Sequence, residues 1–325
     1  MVNTIAQIPF IFSGNTVRIT TSMGIAIFPQ HAANATELIA HCDEAMYRAK
    51  ASGKNIWSIY TGGPEASTEQ ALRLSMNERI SHAIDNGLLC LEYQGVFDIR
   101  DGRLAHQEAL LRMVDRDGGS RRIMPDAFIP NAERSGKILE IDRWVITQAI
   151  ERLAKSDDVV PVAINISGRS FDAPELPGFI AGMLKQHGVA PGRLYIELTE
   201  TSAVSDLVDA QRFIEALRET GCHVCMDDFG VGFSSFAYIK HLKVDILKID
   251  GMFIRNLAHD HDNQVFVKAI VDVARGLNKI TIAESVEDAA TLEMLRRFGV
   301  DLVQGYFLER PHEEKRAMQR NPAEH

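Results

Sequence analysis

The sequence is short of cysteine, of long apolar runs and of positive charge, and each shortage removes a class of protein. Four cysteines in 325 residues (Cys42, Cys90, Cys222 and Cys225) are too few for a disulfide scaffold. Nothing indicates disulfides, so the cytosol is the expected compartment. No stretch approaches the roughly 18–20 apolar residues of a membrane span. IAQIPFIF near the start is short and lacks the basic flank of a signal peptide. A formal net charge of −9 argues against a nucleic-acid polymer as partner. It leaves room for an anionic ligand held by metal ions, because bound cations invert the local field. Cys222-His-Val-Cys225 has the C-x-x-C spacing of zinc and redox sites. It lies in an apparent strand, however, where a separation of three turns the two thiols to opposite faces, so both read as small buried hydrophobes.

What is present is an ordinary soluble composition, 46% hydrophobic and 24% charged. From Leu89 onward, short β-rich runs alternate with longer helical ones. The strand candidates are Leu89–Phe97, Leu104–Arg112, Val159–Ser167, Leu194–Thr199, Cys222–Asp228, Val244–Asp250, Lys279–Glu284 and Asp301–Phe307. Between them, Asp206–Glu219 and Asn263–Leu277 carry apolar residues at helical spacing. Eight strands with interleaved helices over roughly 220 residues predict an α/β fold, a (β/α)₈ barrel of the TIM type. Only Asp98–Arg103 separates the first two strands. A parallel crossover needs a dozen or more residues, so the barrel is expected to contain one antiparallel strand.

The first 62 residues form a separate small α/β piece. Val17–Phe28 alternates like a strand and ends at Pro29, and Asn34–Ala51 is helical up to the stop at Gly53. Residues 63–88 read as a linker around Thr61–Thr68 followed by a helix over Glu69–Asn86. The barrel then spans 89–316 and a tail 317–325.

In such a barrel the chemistry sits at the C-terminal ends of the strands. There the sequence places Glu108, Asn165, Glu197, the pair Asp227-Asp228, Lys248, Glu284 and Gln304. A lone carboxylate at a strand end is more often solvated or capping. Seven successive strands each sending a polar group to one rim are harder to explain that way. Several carboxylates aimed at one place repel and raise one another's pKa, and a bound cation keeps them ionised. Carboxylate and amide oxygens without His or Cys suit a hard metal, Mg²⁺ or Mn²⁺. Adjacent aspartates suggest two cations, with Asp227 bridging both and Asp228 turning back to the second. Two hard cations roughly 3.5–4 Å apart serve phosphate-ester hydrolysis. Lys248 would position or deprotonate the attacking water if its pKa is depressed, and Asp250 is expected to be structural. The Gly- and Ser-containing run Phe229–Ser235 fits a substrate-covering loop.

Glu108-Ala109-Leu110 followed by Leu111-Arg112 resembles the signature of the EAL family of cyclic di-GMP phosphodiesterases. The likeness runs from Leu89 to Pro311 through Tyr93-Gln94, Phe128–Gly136, Asn165–Ser167, Glu197–Glu200, Asp227–Gly230, Leu247–Asp250 and Gln304–Phe307. The resemblance implies a two-metal hydrolase that opens cyclic di-GMP to linear pGpG, working as a homodimer. By that resemblance Glu108, Asn165, Glu197 and Asp227 hold one metal, and Asp227 and Asp228 serve the other. Lys248 acts on the water, Glu284 completes the metal and water shell, and Gln304 supports it. Glu200 anchors the Asp-Asp-Phe-Gly loop, Arg112 meets a substrate phosphate, Gln94 meets the ligand nearby, and Glu133 meets a guanine.

The sequence departs from the family's common residues at Val231, Phe233, Ser285 (for Gly) and Gly95 (for Pro), and none of these removes a ligand. The alternative is a non-catalytic cyclic di-GMP receptor, which need not keep Lys248 and every ligand. VRITTSMGIAIFP and DEAMYRAKASGKN near the start resemble the end of a GGDEF diguanylate cyclase domain. Its signature turn and nucleotide-binding front are missing, so a truncated remnant without cyclase activity is expected.

Overall fold

The computed structural model describes residues 9–12, 15–18, 21–51, 56–60, 76–114, 122–205, 207–231, 239–240 and 242–313. The expected linker Thr61–Thr68, the start of the helix Glu69–Asn86, Gly53, Phe233 with most of its loop, and the tail 317–325 lie outside them. The chain divides into two compact units, Met1–Ser75 and Met76–His325. Helical residues 76–85 therefore go with the second unit, where Ile80 and Ala83 join its core.

In the first unit, β1 (Pro9–Phe12) and β2 (Asn15–Arg18) form an antiparallel pair, and β3 (Met23–Ile25) runs parallel to β4 (Trp57–Ile59). The single strand expected over Val17–Phe28 is thus divided between β2 and β3. The helix Ala35–Ala51 buries Ala45 and Ala49, four residues apart, on one face. Gly24 lets it approach, since a Cβ there would lie 1.9 Å from the Cys42 carbonyl oxygen.

The second unit is a closed eight-stranded barrel. Its strands are β5 (Leu89–Asp98), β6 (Leu104–Val114), β8 (Val162–Asn165), β9 (Leu194–Thr199), β10 (His223–Phe229), β11 (Ile246–Ile249), β12 (Ile280–Ala283) and β13 (Leu302–Val303). β6 and β8 to β13 run parallel in order, while β5 is antiparallel to both β6 and β13. One strand is therefore reversed, as the short Asp98–Arg103 connection requires. Two short strands, β7 (Arg122–Ile123) on β6 and β14 (His312–Glu313) on β5, extend the rim.

Helices cover the outside with apolar faces at helical spacing. Ile138–Leu153 buries Ile141, Val145, Ile146, Ala149, Ile150 and Leu153, and His261–Gly276 buries Val267, Ile270, Val271 and Ala274. A separate cluster of Val96, Cys225, Ile246 and Ile282, flanked by Tyr195, fills the inside of the barrel. Cys222, just before β10, packs in the outer core and Cys225, on β10, in this inner one. Strand alternation then dictates what stands above that plug. Two residues further on lie Asp227, Lys248 and Glu284, and Glu197 follows Tyr195. On the reversed β5 the order inverts, so Gln94 precedes Val96.

Candidate active site

The polar layer converges on one ammonium group. Lys248 Nζ lies 2.7 Å from Glu197 Oε2, 2.8 Å from Glu284 Oε1, 3.1 Å from Asp227 Oδ1 and 3.5 Å from Glu108 Oε2. Lys248 and Glu197 are fully buried, and Glu108 nearly so. Behind Glu108, Asn165 Nδ2 donates to Oε1 at 2.7 Å and Gln304 Nε2 donates to Oε2 at 2.7 Å. That bonding turns the Asn165 amide so that its carbonyl oxygen is left for another partner.

Asp227 and Asp228 reach the same region because the strand is irregular between them. Met226 pairs with Leu247, but Phe229 pairs with Ile249, so β10 carries one extra residue there. The bulge falls at Asp228, whose φ of 53° is left-handed. Such a conformation costs a non-glycine residue on the order of 1 kcal/mol, least for Asn and Asp. Oxygens of Asp227, Asp228 and Glu284 consequently fall within 4.8 Å of one another. Asp250 instead caps the short helix Gly251–Ile254, its Oδ1 accepting from Met252 N at 2.6 Å.

One ammonium among four carboxylates leaves a surplus of negative charge. Burial works against the charged form of Lys248, but Asp227, Glu108, Glu197 and Glu284 outweigh it and hold its pKa well above the ordinary value. With carboxylates alone around it, Lys248 is a firm cation; the depressed pKa expected of a base requires divalent cations to engage those carboxylates. Burial, reinforced by Glu108 and Asp227, pushes Glu197 well above the carboxylate range. The same cause, with Asp227 and Glu108 adding to it, takes Glu284 to about 8. Burial, then Asp227 and Asp250, raises Asp228 to about 6. Glu108 resists burial through Lys248, Gln304 and Asn165 and lies below its usual value.

The residues fit hard divalent cations. Glu197 Oε1 is buried without a hydrogen-bond donor, and Asp227 Oδ1 has only the ion pair to Lys248, which lacks hydrogen-bond geometry. Buried carboxylate oxygens left in that condition are costly, and a cation removes the cost. Glu108, Asn165, Asp227, Asp228, Glu284 and Gln304 line a cleft of about 740 Å³ at this end of the barrel.

The other expected residues take different places. Glu200 is buried at the start of the helix Glu200–Ser205, and its Oε2 accepts Gly230 N–H at 2.8 Å just beyond the bulge. Glu133 lines the cleft and accepts from Ser167 Oγ at 2.8 Å. Gln94 lines it too, but its amide is already engaged: Oε1 accepts from Gln304 at 3.1 Å and Nε2 donates to the Glu309 carbonyl at 2.9 Å. Arg112 is buried and absent from the cleft wall; its Nε donates to Glu92 at 2.8 Å, and Arg122 holds the other Glu92 oxygen. Among the departures, Val231 is exposed, and Ser285 adopts φ 54° where the family commonly has Gly. The left-handed backbone supplies the reason for that preference.

Sequence reasoning passed over Asp142. It sits on the cleft wall, accepting from Ser170 Oγ at 2.6 Å and from Ser167 N at 3.2 Å. A signal was available, since Asp142 is an acid between Ile138 and Ile146 on the buried stripe of its helix. Burial pushes its carboxyl up to about 7. A carboxyl whose folded pKa lies above its ordinary 3.8 holds its proton more tightly when folded, so stability falls as pH rises between about 4 and about 7. Asp142→Asn keeps an acceptor for Ser170 and removes that fall. Its melting temperature should match the parent near pH 4 and exceed it by a few degrees at pH 8; an equal difference at both would refute the account.

The sequence matches the description of the EAL domain over residues 77–311. The chain belongs to the EAL family. Residues 2–56 match the diguanylate cyclase GGDEF domain, in agreement with the resemblance of the first unit. Among curated relatives, the bifunctional diguanylate cyclase/cyclic di-GMP phosphodiesterase MucR of Pseudomonas aeruginosa is 35% identical over 96% of this chain and 45% of its own length. The cyclic di-GMP phosphodiesterase PdeR of Escherichia coli is 32% identical over 94% of this chain and 46% of its own. The EAL chain thus spans less than half the length of these relatives. The solved MucR phosphodiesterase in complex with c-di-GMP superimposes with a TM-score of 0.69 at 34% identity, covering 74% of this chain and 98% of that one. The FimX EAL domain of Pseudomonas aeruginosa bound to c-di-GMP gives 0.69 at 28% identity, covering 74% and 97%.

Proposed function

We propose that this chain hydrolyses cyclic di-GMP to linear 5'-pGpG with two divalent cations, Mg²⁺ or Mn²⁺, acting in the cytoplasm as a homodimer. The observation that carries the reading is the meeting of Glu108, Glu197, Asp227 and Glu284 around Lys248 beneath the cleft, with Asp228 grouped beside Asp227 and Glu284 on its wall. Glu108, Asn165, Glu197 and Asp227 would hold one cation and Asp227 and Asp228 the second, with Glu284 beside both. Bound there, the cations would supply an activated water and neutralise charge building on the phosphate.

The chain's own groups do the rest. Lys248 Nζ faces four carboxylates as an ammonium; with those carboxylates engaged by cations it would release a proton to solvent and, as the neutral amine, take one from the attacking water. Water oxygen would bond to phosphorus as its proton passes to Lys248, the bond from phosphorus to the 3' oxygen would break, and that oxygen would leave with a proton taken from solvent water. Gln304 and Asn165 keep Glu108 from turning away. Glu200 ties the Asp227–Gly230 turn to the barrel through the Gly230 N–H, so its loss would lower activity by loosening Asp227 and Asp228. Arg112 reaches a substrate phosphate by swinging from Glu92, and Glu133, beside Ser167, meets a guanine edge.

Incubation with cyclic di-GMP and Mg²⁺ or Mn²⁺, followed by chromatography of the products, tests the reading. pGpG that appears with either metal and disappears with chelator is the expected result. Tight binding of cyclic di-GMP without pGpG over hours would make the protein a receptor instead.

A further inference from the structure

Strand β5 closes the barrel, yet its outer edge is paired only at two places. Phe97 and Asp98 meet β13, and Glu92 and Tyr93 meet β14. Between them Gln94, Gly95 and Val96 have no strand partner on that side among the described residues. Glu309 fills the gap. Its Oε2 accepts the Gly95 N–H at 2.6 Å, and its carbonyl accepts from Gln94 Nε2 at 2.9 Å. Its other carboxylate oxygen lies 3.0 Å from His312 Nε2, on the first residue of β14.

From Gln94 the contacts continue inward without a break. Gln304 Nε2 is shared between Gln94 Oε1 at 3.1 Å and Glu108 Oε2 at 2.7 Å, and Asn165 holds the other Glu108 oxygen. Gln94 and Gln304 are both buried, so neither amide finds water as a substitute partner. The glycine is part of the device. A proline at position 95, common in the family, has no N–H to give, and even a Cβ there would lie 2.5 Å from Glu309 Oε2.

We infer that Glu309 is a positioning residue: it clasps the barrel seam at Gly95 and Gln94 and, through Gln94 and Gln304, holds Glu108 in the orientation that receives a cation. The inference rests on the metal-site reading above. Groups that orient metal ligands from behind are commonly worth roughly 10–100-fold in affinity, and a more remote clasp belongs at the lower end.

Calorimetric titration of the full chain with Mn²⁺, without substrate, reads the clasp directly. Glu309→Ala should weaken Mn²⁺ binding about tenfold and speed hydrogen exchange at the Gly95 amide. Glu309→Gln, whose amide oxygen still accepts that N–H, should stay near the parent in both. Parent-like Mn²⁺ affinity in Glu309→Ala overturns the inference, and so does an equal loss in both variants, which would point to charge alone. If the parent itself binds no Mn²⁺, the metal-site reading fails, and Gly95 exchange then decides whether the clasp exists. Should Glu309→Ala not fold, Glu309→Asp, which draws the carboxylate back by one carbon, carries the same expectation.

Discussion

Replacing Lys248 by methionine is expected to lower turnover by roughly 10²–10⁴-fold, the usual contribution of a positioned acid–base group. Substrate affinity should change far less, since Lys248 lies beneath the cleft, behind Glu284 and Asp227, and is fully buried. The substitution also has a structural consequence that separates it from an ordinary active-site change. In chelator, Lys248 is the charge that balances Glu197, Glu284, Asp227 and Glu108. Methionine fits the same channel but leaves those acids facing one another. Removing one partner of a buried ion pair commonly costs about 3–5 kcal/mol. For a unit of this size that is a fall in melting temperature on the order of 10 °C. Added Mn²⁺ should recover much of it by supplying the missing positive charge, so metal should stabilise the variant more than the parent. Melting curves with chelator and with Mn²⁺, beside initial rates, measure both effects. Parental turnover in Lys248→Met would take the lysine out of the chemistry, and a chelator melting temperature equal to the parent's would refute its structural role.

The sequence carried much of this site because barrel geometry is periodic. Polar residues two positions beyond the inner plug on β9, β11 and β12 could be placed by strand alternation alone, and the reversal of β5 followed from a connection too short to cross over. What escaped was set by contacts between segments distant in sequence. Asp301–Phe307 reads as a seven-residue strand, yet only Leu302–Val303 pairs. At Gly305 the chain instead lies against Val286, whose N–H bonds the Gln304 carbonyl at 3.0 Å and whose carbonyl accepts from Phe307 N at 3.1 Å. A Cβ at Gly305 would come within 2.2 Å of that backbone. Arg112 shows the same limit. Its position on β6 was legible, but its attachment to Glu92 of the neighbouring strand was not. Glu309 was passed over because the partners that matter here, Gln94 and Gly95, are more than 200 positions away; nearby it meets only His312.

Asp227→Asn is expected to cost on the order of 10³ in turnover, corresponding to about 4 kcal/mol of transition-state stabilisation. The amide is nearly isosteric, so the loss would report charge and ligation rather than shape. Asp227 is the only one of the adjacent pair that forms an ion pair with Lys248, and it is also grouped with Asp228 and Glu284, which is why the proposed bridging role would fall to it. Asp228→Asn should be milder, since on the proposed reading Asp228 would serve one cation only, and asparagine tolerates the left-handed backbone that the bulge imposes at this position. Stability should move the other way from activity. Each substitution removes one of several crowded negative charges, so both variants should melt at or above the parent in chelator and gain less from Mn²⁺. Such opposition between stability and function is expected where a site is held in an unfavourable charge state for its chemistry. Rates and melting temperatures for the two asparagine variants decide the matter. If Asp228→Asn proves the more damaging, the assignment of the bridge to Asp227 is reversed; if both variants lose stability in chelator, these carboxylates support the fold and the crowded-charge account is wrong.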